Sequence, residues 1–155
     1  MTRRDSALVL SPLIHYEFAN ALRFAEFRRV LKPAAARQYW ALFKSAVGQG
    51  RLIVEKCNLA DVVDEARRLS AIHTASGGYR AFGILHVAAA LKLGATEFLT
   101  FDENQKRLAE SEGLRVTLSP AKSATGLKLF ALGTLESARL PINFLPPRLA
   151  GIHWS

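Results

Sequence analysis

Apolar and polar positions alternate between short apolar runs and longer amphipathic stretches. Ala7 to Leu10 is a short extended run, followed by Ser11 and Pro12, an N-cap and the residue best suited to a first helical turn. From Pro12 to about Leu31, residues Leu13, Ile14, Phe18, Ala21, Leu22 and Ala25 form one helical stripe. Pro33 opens a second helix, through Ala34, Tyr39, Trp40 and Phe43 to about Val47, which Gly48 and Gly50 end. Leu52 to Val54 reads as a short strand. Asn58 or Asp61 caps a third helix with Val62, Val63, Ala66, Leu69 and Ile72 on its apolar face, and Ser76, Gly77 and Gly78 turn the chain.

The stretch from Tyr79 to Val116 organises the rest. Ala81, Ile84, Leu85, Ala88 and Leu91 recur at helical spacing, and Gly94 sits where a left-handed cap belongs. Glu97 to Thr100 is a short buried strand, and Asp102 is the N-cap of a helix from Glu103 to Glu112 that Gly113 stops. Leu114 to Thr117 is the next strand. Such a βαβ unit has parallel strands and gathers ligands beyond their carboxyl ends, where Asp102 stands.

One position breaks the pattern. Glu17 lies on the apolar stripe of the first helix, four residues after Leu13 and four before Ala21. A carboxylate facing a core is costly unless it is paired or holds a cation. The bland alternative is an edge position paired with a nearby Arg or Lys. Elsewhere the bland readings prevail: Tyr39 and Trp40 as core, Arg67 and Arg68 as solvated face, and His86 as a hydrogen-bonded core histidine.

Charge adds a partner class. Lys and Arg outnumber Asp and Glu by 21 to 13, a formal charge of +8. That excess favours an anionic partner, nucleic acid before an acidic protein. The single cysteine, Cys57, excludes an intrachain disulfide and fits a reducing cytoplasm, while one cysteine and four scattered histidines exclude a zinc cluster. No apolar run is long enough for a membrane span, and Ser11 and Pro12 interrupt the N-terminal apolar patch too early for a signal peptide.

The segment HVAAALKLGATEFLTFDENQKRLAESEGLRV resembles the C-terminal half of a PIN domain of the VapC toxin branch of toxin–antitoxin ribonucleases. The matching signature is a helix R-x-x-D-x-x-H-V-A-A-A-L, then L-G-A, then F-L-T-F-D-x-x-Q-x-x-L-A and G-L. IHYEFANALR is similar to that family's E-x-x-N-A-L motif. The resemblance implies an α/β fold, a PIN-like three-layer α/β/α arrangement with a short parallel sheet. It implies a Mg²⁺- or Mn²⁺-dependent endoribonuclease with RNA, a cognate antitoxin protein and a homodimer as partners. Four carboxylates at strand ends hold the ion there, since hard cations take oxygen ligands and relieve carboxylate repulsion.

Mapped onto this chain, the resemblance makes Glu17 and Asp102 the catalytic and metal-binding acids, with Asn20, Thr100, Arg80 and Gln105 in support. Gly83 stands where the family has an aspartate, and the first strand with its acid is missing. Glu103 is a substitute ligand, or more simply an exposed first-turn acid favouring the helix dipole. Two acids bind Mg²⁺ weakly, and phosphoryl chemistry falls steeply with misplacement, so activity is expected to be impaired. The domain is expected over residues 1–118. Residues 119–155 read as an irregular extension unlike the family, in which Leu127 to Leu132 could add a strand. The alternatives are a non-catalytic antitoxin- or RNA-binding module, and a non-functional remnant whose sheet edges lie bare.

Overall fold

Residues 8–117 and 128–130 are described in a computed structural model of the chain. In order they form β1 (Leu8–Leu10), α1 (Pro12–Phe27), α2 (Pro33–Gly48), β2 (Leu52–Val54) and α3 (Leu59–Gly77), then α4 (Ala81–Lys92), β3 (Glu97–Leu99), α5 (Glu103–Ser111), β4 (Arg115–Thr117) and β5 (Lys128–Phe130). Local chemistry sets most of these limits. The Ser11 hydroxyl accepts from the Ile14 amide at 3.4 Å, and the Asn58 side chain accepts from the Ala60 amide at 3.0 Å. Asn58, rather than Asp61, therefore caps α3. Gly94 adopts φ +69° just past α4, as the sequence requires.

The first helix is shorter than its apolar stripe suggests. It stops at Phe27, and the Val30 and Leu31 amides both donate to the Ala25 carbonyl, turning the chain sharply. Leu31 thereby packs with Leu22, Ala36 and Tyr39 in a small second cluster. Burial of that leucine outweighs continuation of the helix.

The strands form a five-stranded sheet in the order β2-β1-β5-β3-β4, with every pair parallel. Leu129 stands opposite Val9 on one side and Phe98 on the other. The strand that Leu127 to Leu132 could add is therefore present, and it belongs to the same sheet as the strands of the expected domain. Lys128–Phe130, from within LKLFAL, occupies the centre of the sheet. The remaining residues of the expected extension, and residues 1–7, lie outside the described residues.

The connections from β1 to β2 and from β3 to β4 run in opposite directions across the sheet. Right-handed crossovers then place α1 and α2 on one face and α3, α4 and α5 on the other, as the packing of α1 on α2, and of α4 on both α3 and α5, requires. The main core between these layers includes Val9, Leu10, Ile14, Leu69, Val87, Phe98 and Leu108, all essentially inaccessible. Tyr39 is buried, and Trp40 stacks on His15 at 5.5 Å and Phe43 at 5.3 Å, so both aromatics belong to packing. No described helix is long and apolar enough to cross a membrane.

Two charged arrangements tie the elements together. Glu97 on β3 is 0% exposed and is ion-paired with Arg115, its in-register neighbour on β4. Arg68 is exposed, as expected, and also reaches from α3 to the end of α5. Its Nη2 lies 2.7 Å from Glu65 Oε1 and 2.6 Å from Glu112 Oε2, while His73 Nε2 lies 2.7 Å from Glu112 Oε1. Arg67, by contrast, makes only a loose, exposed contact to Asp64 at 3.5 Å. The hydrogen bond from Arg68 holds the Glu65 carboxyl below its usual range. Burial pushes Glu112 upward, but hydrogen bonds from Arg68 and His73 outweigh it and leave that carboxyl lowered too.

Two outcomes follow for stability. Leu129→Pro removes an N–H from the central strand and is expected to cost about 2 kcal/mol or more in urea denaturation. Because the folded pKa values of Glu65 and Glu112 are depressed, their contribution is complete above the ordinary carboxylate range and is lost as pH falls through the lowered values. Arg68→Ala should therefore lower the denaturation midpoint at neutral pH, and the gap from wild type should narrow by about pH 3.

Candidate functional site at the centre of the sheet

The sheet changes direction around β5: the chain leaves β1 toward one edge and β3 toward the other. In an open parallel sheet such a switch point leaves a crevice beyond the carboxyl ends of the strands. The stretches that follow β1 and β3 carry Glu17 on α1 and Thr100, Asp102 and Gln105 at the start of α5. Both sets follow the strands flanking β5.

Around β3 the side chains form a tight local network. The Asp102 Oδ1 accepts from the Asn104 amide at 2.8 Å and from the Gln105 amide at 2.9 Å, capping α5. The Asp102 amide donates to Thr100 Oγ1 at 3.1 Å, and that hydroxyl donates to Gln105 Oε1 at 2.8 Å. Thr100 and Gln105 are both buried. Gln105 Nε2 is also buried but has no partner among the described residues. Turning the amide over would only leave the oxygen unpaired instead.

The face of α4 that meets this network carries Gly83. A Cβ built there would lie 3.4 Å from Gln105 Cγ and 3.8 Å from its Nε2, an ordinary contact with nothing else nearby. The position therefore has room for a side chain, and one that accepts a hydrogen bond would meet the unpaired amide. One turn further along, His86 is 1% exposed, and its Nε2 lies 2.7 Å from Glu17 Oε2. The approach is close but off the ring N–H axis, so both atoms count as unpaired by hydrogen-bond geometry. The contact sets a ring nitrogen from α4 against a carboxylate oxygen from α1. His86 Nδ1 has no partner among the described residues.

Glu17 is therefore a carboxylate held inside the fold, as the stripe implied, and its partner is a histidine from α4 rather than an Arg or Lys. Asn20 is exposed. Arg80 occupies the N-cap position of α4 and makes no side-chain capping bond there. Glu103 is an exposed first-turn acid of α5. Among the described residues no group of three or more His, Cys, Asp or Glu is arranged to hold a metal ion.

His86 is the residue that reading the sequence undervalued. Its signal was present: it falls three positions after Gly83 and so shares a helical face with it. Glu97 was also overlooked as a buried acid, though an acid at the start of an apolar strand was the mark. No family model, curated protein or solved structure matches the chain.

His86→Ala strands the partly buried Glu17 carboxylate. The expected loss is about 2 kcal/mol, less than for a fully buried pair. Adding Glu17→Gln should recover part of it, as read from urea titrations of the single and double variants.

Proposed function

We propose that this chain is a PIN-like domain of the VapC type in which metal-dependent hydrolysis of RNA is impaired. Its sequence signature and its parallel strand order support that descent. So does the position of Glu17 and Asp102 after the strands that flank β5.

The observation that carries the impairment is the gap at Gly83, facing the unpaired amide of Gln105. Attack on a phosphodiester needs an activated water and positive charge on the phosphate, and Mg²⁺ or Mn²⁺ supplies both where oxygen ligands converge. The groups present suit that ion poorly. Glu17 shares its oxygen with His86, Asp102 commits Oδ1 to two backbone amides, and position 83 offers no ligand. No hydrolytic step is assigned to this set.

A second reading, a non-catalytic module that binds RNA or an antitoxin protein, draws on the excess of 21 basic over 13 acidic residues. The third alternative, a non-functional remnant, draws less support, because β5 lies between β1 and β3 and covers the edges that it would leave bare.

The test is incubation of purified chain with RNA and Mn²⁺, alongside Asp102→Asn, which keeps the α5 cap while removing the charge. Little or no cleavage by wild type is expected. Robust cleavage that the substitution abolishes would overturn the reading. Gly83→Asp places an acid in the first turn of α4, where the helix dipole favours it. It should tighten Mn²⁺ binding, measured by paramagnetic resonance, by about tenfold or more.

A further inference from the structure

The last turn of α1 and the bend that follows it lie about 15 Å along the helix from Glu17, well outside the polar group at the sheet centre. Phe27 is 79% exposed and Phe24 50%. Their rings stack with centroids 6.1 Å apart and planes 28° from parallel, and the Arg28 guanidinium lies over Phe24 with Cζ 5.9 Å from the ring centre. Beside them an open groove of about 740 Å³ is lined by Arg23, Glu26, Phe27, Arg29, Leu31 and Lys32, among others.

The bend itself is held in an uncommon way. Arg29 has φ +59°, the one positive value at a non-glycine among the described residues. A glycine would take that conformation without steric cost, yet the chain keeps a guanidinium there. The turn is closed by the bonds to the Ala25 carbonyl and anchored by Leu31 in the small cluster with Leu22, Ala36 and Tyr39. The aromatic and basic groups therefore stand on a fixed base rather than a loose loop.

We infer that this patch binds single-stranded nucleic acid, with bases on Phe24 and Phe27 and phosphates on Arg23, Arg29 and Lys32. Cations at a helix C-terminus also favour the dipole, which accounts for Arg28 and Arg29 but not for two exposed rings. An apolar protein face would cover the rings yet leave Arg23, Arg29 and Lys32 opposed, among the described residues lining the groove, by Glu26 alone. A single strand satisfies both halves, because each base offers a planar face and each link a negative charge. Arg23 already donates one bond to the Ala19 carbonyl at 3.1 Å, which holds its guanidinium along the helix with further N–H groups to give.

The experiment is fluorescence anisotropy of the full chain with a labelled uridine oligomer of roughly ten nucleotides, over a series of salt concentrations. Binding is read rather than cleavage, so the result is independent of the nuclease reading above. Phe27→Ala should weaken binding about tenfold, and Phe27→Tyr, which keeps the stacking face, should stay within about twofold of wild type. Arg23→Gln with Lys32→Gln should reduce the slope of log affinity against log salt by about 1.4. Lys44→Gln, exposed on α2 outside the groove, is the control and should leave affinity within about twofold. Phe27→Ala should keep the wild-type thermal melt, because the ring is largely in solvent. No binding by wild type at low salt, or undiminished binding by Phe27→Ala, overturns the inference. A wild-type dimer on size exclusion that Phe27→Ala converts to monomer also overturns it, in favour of a second copy.

Discussion

A parallel sheet cannot leave an open place in its middle, because the strands on either side would each expose a row of unpaired backbone groups inside the protein. Here β1 with β2 forms one half of the sheet and β3 with β4 the other, and Lys128–Phe130 is what joins them. That strand comes last among the described elements but sits first in importance, in register with Leu8 and Val9 on one side and with Glu97, Phe98 and Leu99 on the other. The layers of helices, the buried positions of Val9 and Phe98, and the crevice beyond the strand ends all presuppose it.

The same join decides what the polar group can be. Glu17 follows β1, while Thr100 and Asp102 follow β3, and α4 brings Gly83 and His86 into the group. Among the described residues each polar side chain there has found part of a partner set. Thr100 binds Gln105, Asp102 caps a helix and His86 meets Glu17, while Gln105 Nε2 and His86 Nδ1 have no partner among the described residues. Buried polar groups without a partner are costly, so this group is an exception within an otherwise well-packed core.

Away from the centre, charge is used for structure. Arg68 and His73 fasten α3 to the end of α5 through Glu112, and Arg115 neutralises the buried Glu97 across neighbouring strands. These contacts draw on only a few of the basic residues. Among the described residues that line the groove at the end of α1, Glu26 is the one acid beside Arg23, Arg29 and Lys32.

Most elements were legible in the sequence because they are decided locally. Ser11 with Pro12, Asn58, Asp102, Gly94 and Gly113 fix helix ends through capping bonds and left-handed backbone that depend only on near neighbours. Glu17 was legible as a partly buried acid because helical spacing alone places it on the apolar face. The partner of Glu17, the reach of Arg68 and the central place of the strand within Leu127 to Leu132 were not. His86 lies far along the chain from Glu17, and Arg68 lies 44 residues from Glu112. Three residues of apolar strand carry no periodicity by which to assign them a place. Contacts within a turn or two of helix are written in spacing. Contacts across the sheet exist only once it has closed, and closure depends on which strand the packing admits to the middle.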